Sequence, residues 1–354
     1  MELLTLLKKA ADSKASDLHL SVGAVPMMRI RGKLEMIEGY DILMPEDAEA
    51  LLLPLLDTLA RSELNSKGQY DMSYKTEFAR YRVNIFKQKG DLAGVFRVLS
   101  ESVPNYQTLG LPTALFNLYR KRRGLILIVG PTGSGKSTTL ASFLDIINRQ
   151  SQKHIITLED PIEYMHWHSS GLINQREIGK DCVSFATGLR AALREDPDVI
   201  LIGEMRDFET TEIALTAAET GHLVCSTLHT LGAADTLNRV VAMYPTRQQE
   251  LARSQLTSIL EAVVSQQLLP KADKSGYCVA FEILFRDDYV KKLIARNDLD
   301  AISEYLWTED AMSRGMCAMD YTIEQLYRKG TITKQTALDY AFNRDKMEAK
   351  LGSL

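Results

Sequence analysis

An apolar run, Leu125–Val129, leads straight into Gly130-Pro131-Thr132-Gly133-Ser134-Gly135-Lys136-Ser137-Thr138, and a helical pattern extends from Lys136 to Asn148. Strand, glycine-rich loop and helix in that order constrain the fold more than any other feature of the chain, and the loop fits GxxxxGK[ST]. Glycines at 130, 133 and 135 permit backbone angles that a side chain forbids, so several N–H groups can converge on one anion. The helix adds its positive N-terminal end. Lys136 supplies a point charge for the β- and γ-phosphates, and the Ser137 hydroxyl suits Mg²⁺. A Gly/Ser-rich surface turn is the competing reading, but it requires neither the strand before nor the helix after.

Beyond this loop, strand and helix alternate. His154–Leu158, Val199–Ile202 and Leu223–Ser226 read as strands, and Ser184–Arg194 and Glu209–Glu219 as helices. Continuous apolar strands alternating with helices predict a parallel sheet covered on both faces. From Arg247 on, the pattern is mostly helical, with one strand at Tyr277–Leu284. The first hundred residues differ. They read as an α+β unit, with a helix over Glu2–Lys14, a helix starting at Pro45 and cut short by Pro54, and strands at Asp17–Ser21, Met27–Arg31, Lys33–Ile37, Gln69–Thr76, Phe78–Gln88 and Leu92–Leu99. Pro104 and Asn105 mark a linker over Glu101–Thr108.

Ligands of parallel sheets collect at the carboxyl ends of strands. Three ends carry suggestive chemistry here. His154–Leu158 runs into Glu159-Asp160-Pro161-Ile162-Glu163, Val199–Ile202 into Gly203-Glu204, and Leu223–Ser226 into Thr227-Leu228-His229. An acid in such a place holds Mg²⁺ through water or orients the attacking water. Glu204 is the first candidate, because the cleanest apolar run precedes it, and Glu163 the second. His229 is a candidate sensor of the γ-phosphate; a structural histidine is the alternative. His166-Trp167-His168 would present two imidazoles on one strand face, but no third ligand is near, which disfavours a metal.

Composition narrows the class. The net charge of −4, from 42 Lys+Arg against 46 Asp+Glu, gives no overall attraction to nucleic acid or anionic membrane. No apolar stretch approaches the ~20 residues a membrane helix needs, and the start lacks a signal-peptide pattern. Cys182, Cys225, Cys278 and Cys317 form no close pair and read as free thiols in a reducing cytoplasm.

Taken together these blocks resemble the secretion-type ATPases, and most closely the PilT family of type IV pilus retraction motors. The matching segments are Ala15–Leu20 (ASDLHL), Ala79–Asn84, Val95–Arg97, Gly130–Thr139, Leu158–Tyr164, Ala192–Asp207 (ALREDPDVILIGEMRD) and Ala217–Thr230 (AAETGHLVCSTLHT). The resemblance implies a PAS-like α+β domain over 1–100, a linker at 101–110, and a RecA-like P-loop ATPase domain with a helical C-terminal end over 111–354. It also implies a cytoplasmic homohexamer that binds ATP and Mg²⁺, the metal at Ser137 and Glu204, and that meets an inner-membrane pilus platform protein. Membrane contact is then peripheral, through the platform, and no nucleic acid is bound directly. Arg82 and Arg97 become arginine-finger candidates, and His222 joins His229 as a histidine pair. Tyr289–Arg296 keeps only part of the family's C-terminal AIRNLIRE helix, which leaves a PilU-like accessory output or an assembly motor as alternatives. A nucleic-acid translocase on the same core would need a basic, aromatic-lined channel, and Lys121-Arg122-Arg123 is the one tight basic cluster. A non-catalytic switch would be expected to lack Lys136 or Glu204, and both are present.

Overall fold

The computed structural model describes residues 2–99 and 102–352. Two compact units emerge: one runs up to Ser102 and takes in Pro161–Met165, and the other comprises Val103–Asp160 and the residues from His166 on. Of the expected linker, Glu101 lies outside the described residues. Residues 103–110 belong to the second unit, where Ser142 Oγ donates to Pro104 O at 2.6 Å.

The N-terminal unit is α+β. Its strands are β1 (Asp17–Ser21), β2 (Met27–Ile30), β3 (Lys33–Met36), β4 (Gln69–Lys75), β5 (Arg80–Gln88) and β6 (Asp91–Leu99), ordered β3-β2-β1-β6-β5-β4 with antiparallel neighbours. Along β5, Tyr81, Val83 and Ile85 are buried and alternate with Arg80, Arg82 and Asn84, so one sheet face receives the helices Leu3–Asp12, Pro45–Leu52 and Thr58–Lys67. Tyr81 satisfies its hydroxyl by donating to Leu7 O at 2.8 Å. Pro54 ends the second helix at Leu52 in a short 3₁₀ turn. The two-residue turn Lys89-Gly90 has φ of 51° and 96°, the backbone of the tight hairpin turn that matches strand twist. That turn fixes the β5–β6 register, which sets Arg82 directly opposite Arg97.

Among its described residues the second unit holds seven strands: β7 (Gly124–Val129), β8 (His154–Glu159), β9 (Leu172–Glu177), β10 (Val199–Ile202), β11 (Leu223–Leu228), β12 (Leu260–Pro270) and β13 (Tyr277–Phe285). Their order is β13-β12-β7-β11-β10-β8-β9, and only the β12–β13 pair is antiparallel. This is the RecA-like arrangement, with the phosphate-loop strand inside the sheet. Both faces are covered. Leu125, Leu127 and Val129 pack into one core with helix Phe208–Glu219, while Ile126 and Ile128 pack into another with helix Lys136–Gln150. A third apolar cluster joins Leu269 to Met319, Ile323, Leu338 and Met347 in the C-terminal helices.

Strands β9 and β12 and helices Thr58–Lys67 and Ala233–Ala242 depart from the sequence expectation. The segment after Arg247 contains the buried eleven-residue β12, whose apolar run is broken by Ser265-Gln266-Gln267 and so lacks a clear period. The strand β9 is polar at its exposed sheet edge, and helix Thr58–Lys67 carries only Ala60 and Leu64 as buried residues. Among the described residues no helix is long and apolar enough to cross a membrane.

Candidate functional site

The phosphate loop has the geometry that its glycines imply. Gly133 and Gly135 adopt φ of 80° and 89°, and Gly135 starts helix Lys136–Gln150 with no side-chain cap on the helix N–H groups. Gly130 has φ of 141°, and a Cβ there would stand 2.3 Å from Gln266 O and 2.7 Å from Ser134 Oγ. A side chain at 130 would therefore push β12 away from the loop. Lys136 is 8% exposed, and its ammonium donates to Gly130 O at 2.8 Å and Pro131 O at 2.9 Å. Pro131, Thr132 and Gly133 are exposed at the lip, and Ser137 and Thr138 are half-buried.

Two buried polar atoms at this loop have no partner among the described residues, Ser134 Oγ and Gln266 Oε1. Gln266 is 2% exposed, and its Nε2 would lie 3.9 Å from a Cβ on Gly135. Native proteins rarely leave such atoms unsatisfied. A glycine cradle, a helix N-terminus without a cap, an ammonium and unpaired polar atoms beside them fit a polyphosphate.

The strand order delivers the acidic and imidazole groups to the same edge. β11 lies between β7 and β10, so Gly130 N donates to Leu228 O at 3.3 Å, one residue before His229. From the next strand Glu204 reaches across, and its Oε2 lies 3.4 Å from His229 Nε2 and 2.8 Å from Arg206 Nη2. The Arg206 guanidinium is held above its ordinary value first by that hydrogen bond, against the opposing effect of burial. Hydroxyls of β11 fasten the end of β10: Ser226 Oγ donates to Ile202 O at 2.8 Å and Thr227 Oγ1 to Gly203 O at 2.6 Å. Phosphate loop, His229 and Glu204 thus form one connected edge. Asp207 then caps helix Phe208–Glu219, accepting from Thr210 N at 2.8 Å.

Other sequence candidates lie elsewhere. His222 precedes the first residue of β11, so about 20 Å of strand separates it from His229. Its Nδ1 lies 3.0 Å from Ala217 O, which closes the turn after helix Phe208–Glu219. Glu163 belongs to Pro161–Met165 and therefore to the N-terminal unit, as do Arg82 and Arg97. Arg97 Nε donates to Asp17 Oδ1 at 2.9 Å, whereas Arg82 has no ion-pair partner among the described residues. Like charges directly opposite in a sheet repel, so the Arg82–Arg97 pair is stabilised by Asp17 on one side only. His166 and His168 lie in the connection between β8 and β9 rather than on a strand. The His166 N–H donates to Gln175 Oε1, and His168 Nδ1 accepts from Ile173 N. Among the described residues no cluster of three or more His, Cys, Asp or Glu is placed to hold a metal ion.

Arg206, Gln266 and the hydroxyls of Ser226 and Thr227 join the site without having been expected from the sequence. The polar break Ser265-Gln266-Gln267 inside an apolar run was the available signal for Gln266.

Residues 3–298 match the family model described as type II/IV secretion system protein. The chain is 40% identical to the type IV pilus retraction ATPase PilT of Pseudomonas aeruginosa over 342 residues, 96% of this chain and 98% of that protein. It is 40% identical to the twitching motility protein of Neisseria gonorrhoeae over 98% of this chain and 92% of that one. The crystal structure of the pilus retraction motor PilT with bound ADP superposes with a TM-score of 0.91 at 43% identity, covering 99% of each chain.

Proposed function

The chain belongs to the type II/IV secretion system protein family and, within it, to the PilT family, and from that premise we propose an ATP-hydrolysing motor that withdraws type IV pili. The observation that carries the reading is the Glu204 carboxylate meeting His229 beside a phosphate loop whose first residue is bonded to the strand of that histidine. Gly130–Thr138 hold the triphosphate through backbone N–H groups, with Lys136 moving its ammonium from the Gly130 and Pro131 carbonyls to the β- and γ-phosphates. Ser137 and Glu204, the latter through water, would hold Mg²⁺, which would supply positive charge to the phosphate oxygens. Glu204 orients the attacking water, with Glu163 as an auxiliary acid. Arg82 and Arg97 stabilise the charge on the transferring phosphoryl group from an N-terminal unit in the ring. His229 reports the γ-phosphate through its contact with Glu204, and His222 fixes the far end of the same strand.

The motor is a cytoplasmic homohexamer that works at the inner face of the membrane on a pilus platform protein. The test is native mass with and without Mg-ATP, phosphate release, and twitching-zone restoration in a host lacking its own retraction ATPase. A monomer without turnover overturns the motor. A hydrolysing ring that restores no twitching overturns the retraction output alone.

A further inference from the structure

Glu282, on β13, takes no part in the cycle above, yet it is a carboxylate only 7% exposed. Its Oε1 accepts from Ala233 N at 2.7 Å, the first residue of helix Ala233–Ala242, and its Oε2 accepts from Met319 N at 3.4 Å, the first residue of helix Met319–Arg328. Burial raises its pKa, and the two backbone N–H bonds work against that rise. One buried side chain thus joins the starts of two helices that are far apart in sequence. An uncharged group would be cheaper to bury, but only a carboxylate offers one acceptor oxygen to each N–H.

The two helices differ in what they adjoin. Helix Ala233–Ala242 begins four residues after His229, and the loop between is held closely. Thr230 Oγ1 lies 2.7 Å from Thr236 Oγ1, Gly232 N donates to Ser265 Oγ at 3.1 Å, and Gly232 has φ of 83°. A Cβ on Gly232 would lie 3.4 Å from Glu282 Oε1 and 3.3 Å from the Phe342 ring. The other helix opens the C-terminal helical cluster. Its second residue, Asp320, accepts from Phe342 N at 2.7 Å and Asn343 N at 2.9 Å, ahead of helix Arg344–Gly352. Four residues of backbone lead from His229 to Ala233, and the bonds from Ala233 N and Met319 N to Glu282 and from Phe342 N to Asp320 continue that link into the C-terminal helices.

We propose that Glu282 is a positioning residue that couples the loop after His229 to the C-terminal helices, so that the state of the γ-phosphate is transmitted to residues 317–343. The inference rests on reading His229 as the γ-phosphate sensor. A rigid side chain bonded to both partners transmits a shift of one to the other, which is the kind of contiguous element that coupling requires.

The experiment is amide hydrogen exchange on the full chain with Mg-ADP and with a non-hydrolysable Mg-ATP analogue, read at 230–236 and 317–322, together with steady-state kinetics. In the wild type both segments respond to the γ-phosphate. In Glu282→Gln, whose amide has one acceptor and would turn its NH₂ toward an N–H, the response at 230–236 persists and that at 317–322 is lost. There kcat falls about tenfold while KM stays within about twofold, a size typical of coupling between sites. A Glu282 that only stabilises the fold would lower Tm and leave the response at 317–322 intact, which overturns the proposal, as does a wild-type 317–322 indifferent to nucleotide. A wild-type 230–236 that does not respond overturns the reading of His229 instead. Were Glu282→Gln not to fold, Glu282→Asp, with its shorter arm, is read by the same criteria.

Discussion

Replacing Glu204 by Gln separates chemistry from structure. In this structure its carboxylate holds Arg206, whose side chain is 67% exposed, and His229 at the edge of contact range. An ion pair with so exposed a partner contributes about 1 kcal/mol or less, and Gln keeps one acceptor for it. Thermal unfolding should therefore shift by less than about 4 °C. Loss of the group that orients the attacking water should instead lower kcat by roughly 10²–10⁴-fold, about 3–5 kcal/mol in the barrier. Removing a negative charge beside a triphosphate should leave nucleotide affinity equal or higher. Phosphate release under saturating Mg-ATP, with equilibrium nucleotide binding and calorimetry on the same sample, measures all three. Turnover within about fivefold of wild type would refute the role of Glu204, and a parallel loss in Glu163→Gln would move that role to Glu163. A Tm drop beyond about 10 °C would make the residue structural.

Lys136→Ala removes the buried ammonium and should weaken nucleotide binding roughly 10–100-fold, the worth of a charge-assisted contact; fluorescent-nucleotide titration reads it, and unchanged affinity refutes the site. Gln266→Leu replaces an unpaired buried carboxamide by an apolar side chain of similar volume. The nucleotide-free Tm should hold or rise, while the Tm gained on adding Mg-ADP should shrink, and a full nucleotide-induced gain would show that the amide makes no contact in the bound state. Burial pushes the Asp17 carboxyl up, but hydrogen bonds from Arg97 and Ser16 and the Arg97 charge outweigh it and hold it below the ordinary range. Its contribution is thus present above the unfolded value of about 3.9 and lost as pH falls through the lower folded value. Asp17→Asn should cost under about 1 kcal/mol at pH 7, because Arg97 is 62% exposed, and the cost should vanish in acid. Urea midpoints along the acid limb check this, and a cost that grows toward low pH would reverse the sign.

Segments whose chemistry is carried by consecutive residues were legible without coordinates. The phosphate loop is one of them: its strand, glycines, lysine and helix are neighbours in the chain, and each residue's role follows from local backbone angles and the helix end. Val199–Ile202 followed by Glu204 is another, because a wholly apolar run marks a strand buried on both faces and the next acid marks its open end. By contrast, β12 was hidden, since Ser265, Gln266 and Gln267 interrupt its apolar pattern and its burial comes from partners elsewhere in the chain, β7 and β13 on either side and helices over both faces.

The chain's order of residues alone determined that a polyphosphate cradle and strand-end acids exist here. The tertiary structure decided which of them meet. Only the insertion of β11 between β7 and β10 puts His229 against Glu204, and only β12 at the other flank of β7 brings Gln266 beneath the loop. Only a two-residue hairpin sets Arg82 across from Arg97, and strand length puts His222 at the opposite end of the sheet from His229. Those meetings join segments far apart in the chain, through strand pairings that no local window contains, because the hydrogen bonds that define a sheet edge are made with partners that the sequence does not place alongside.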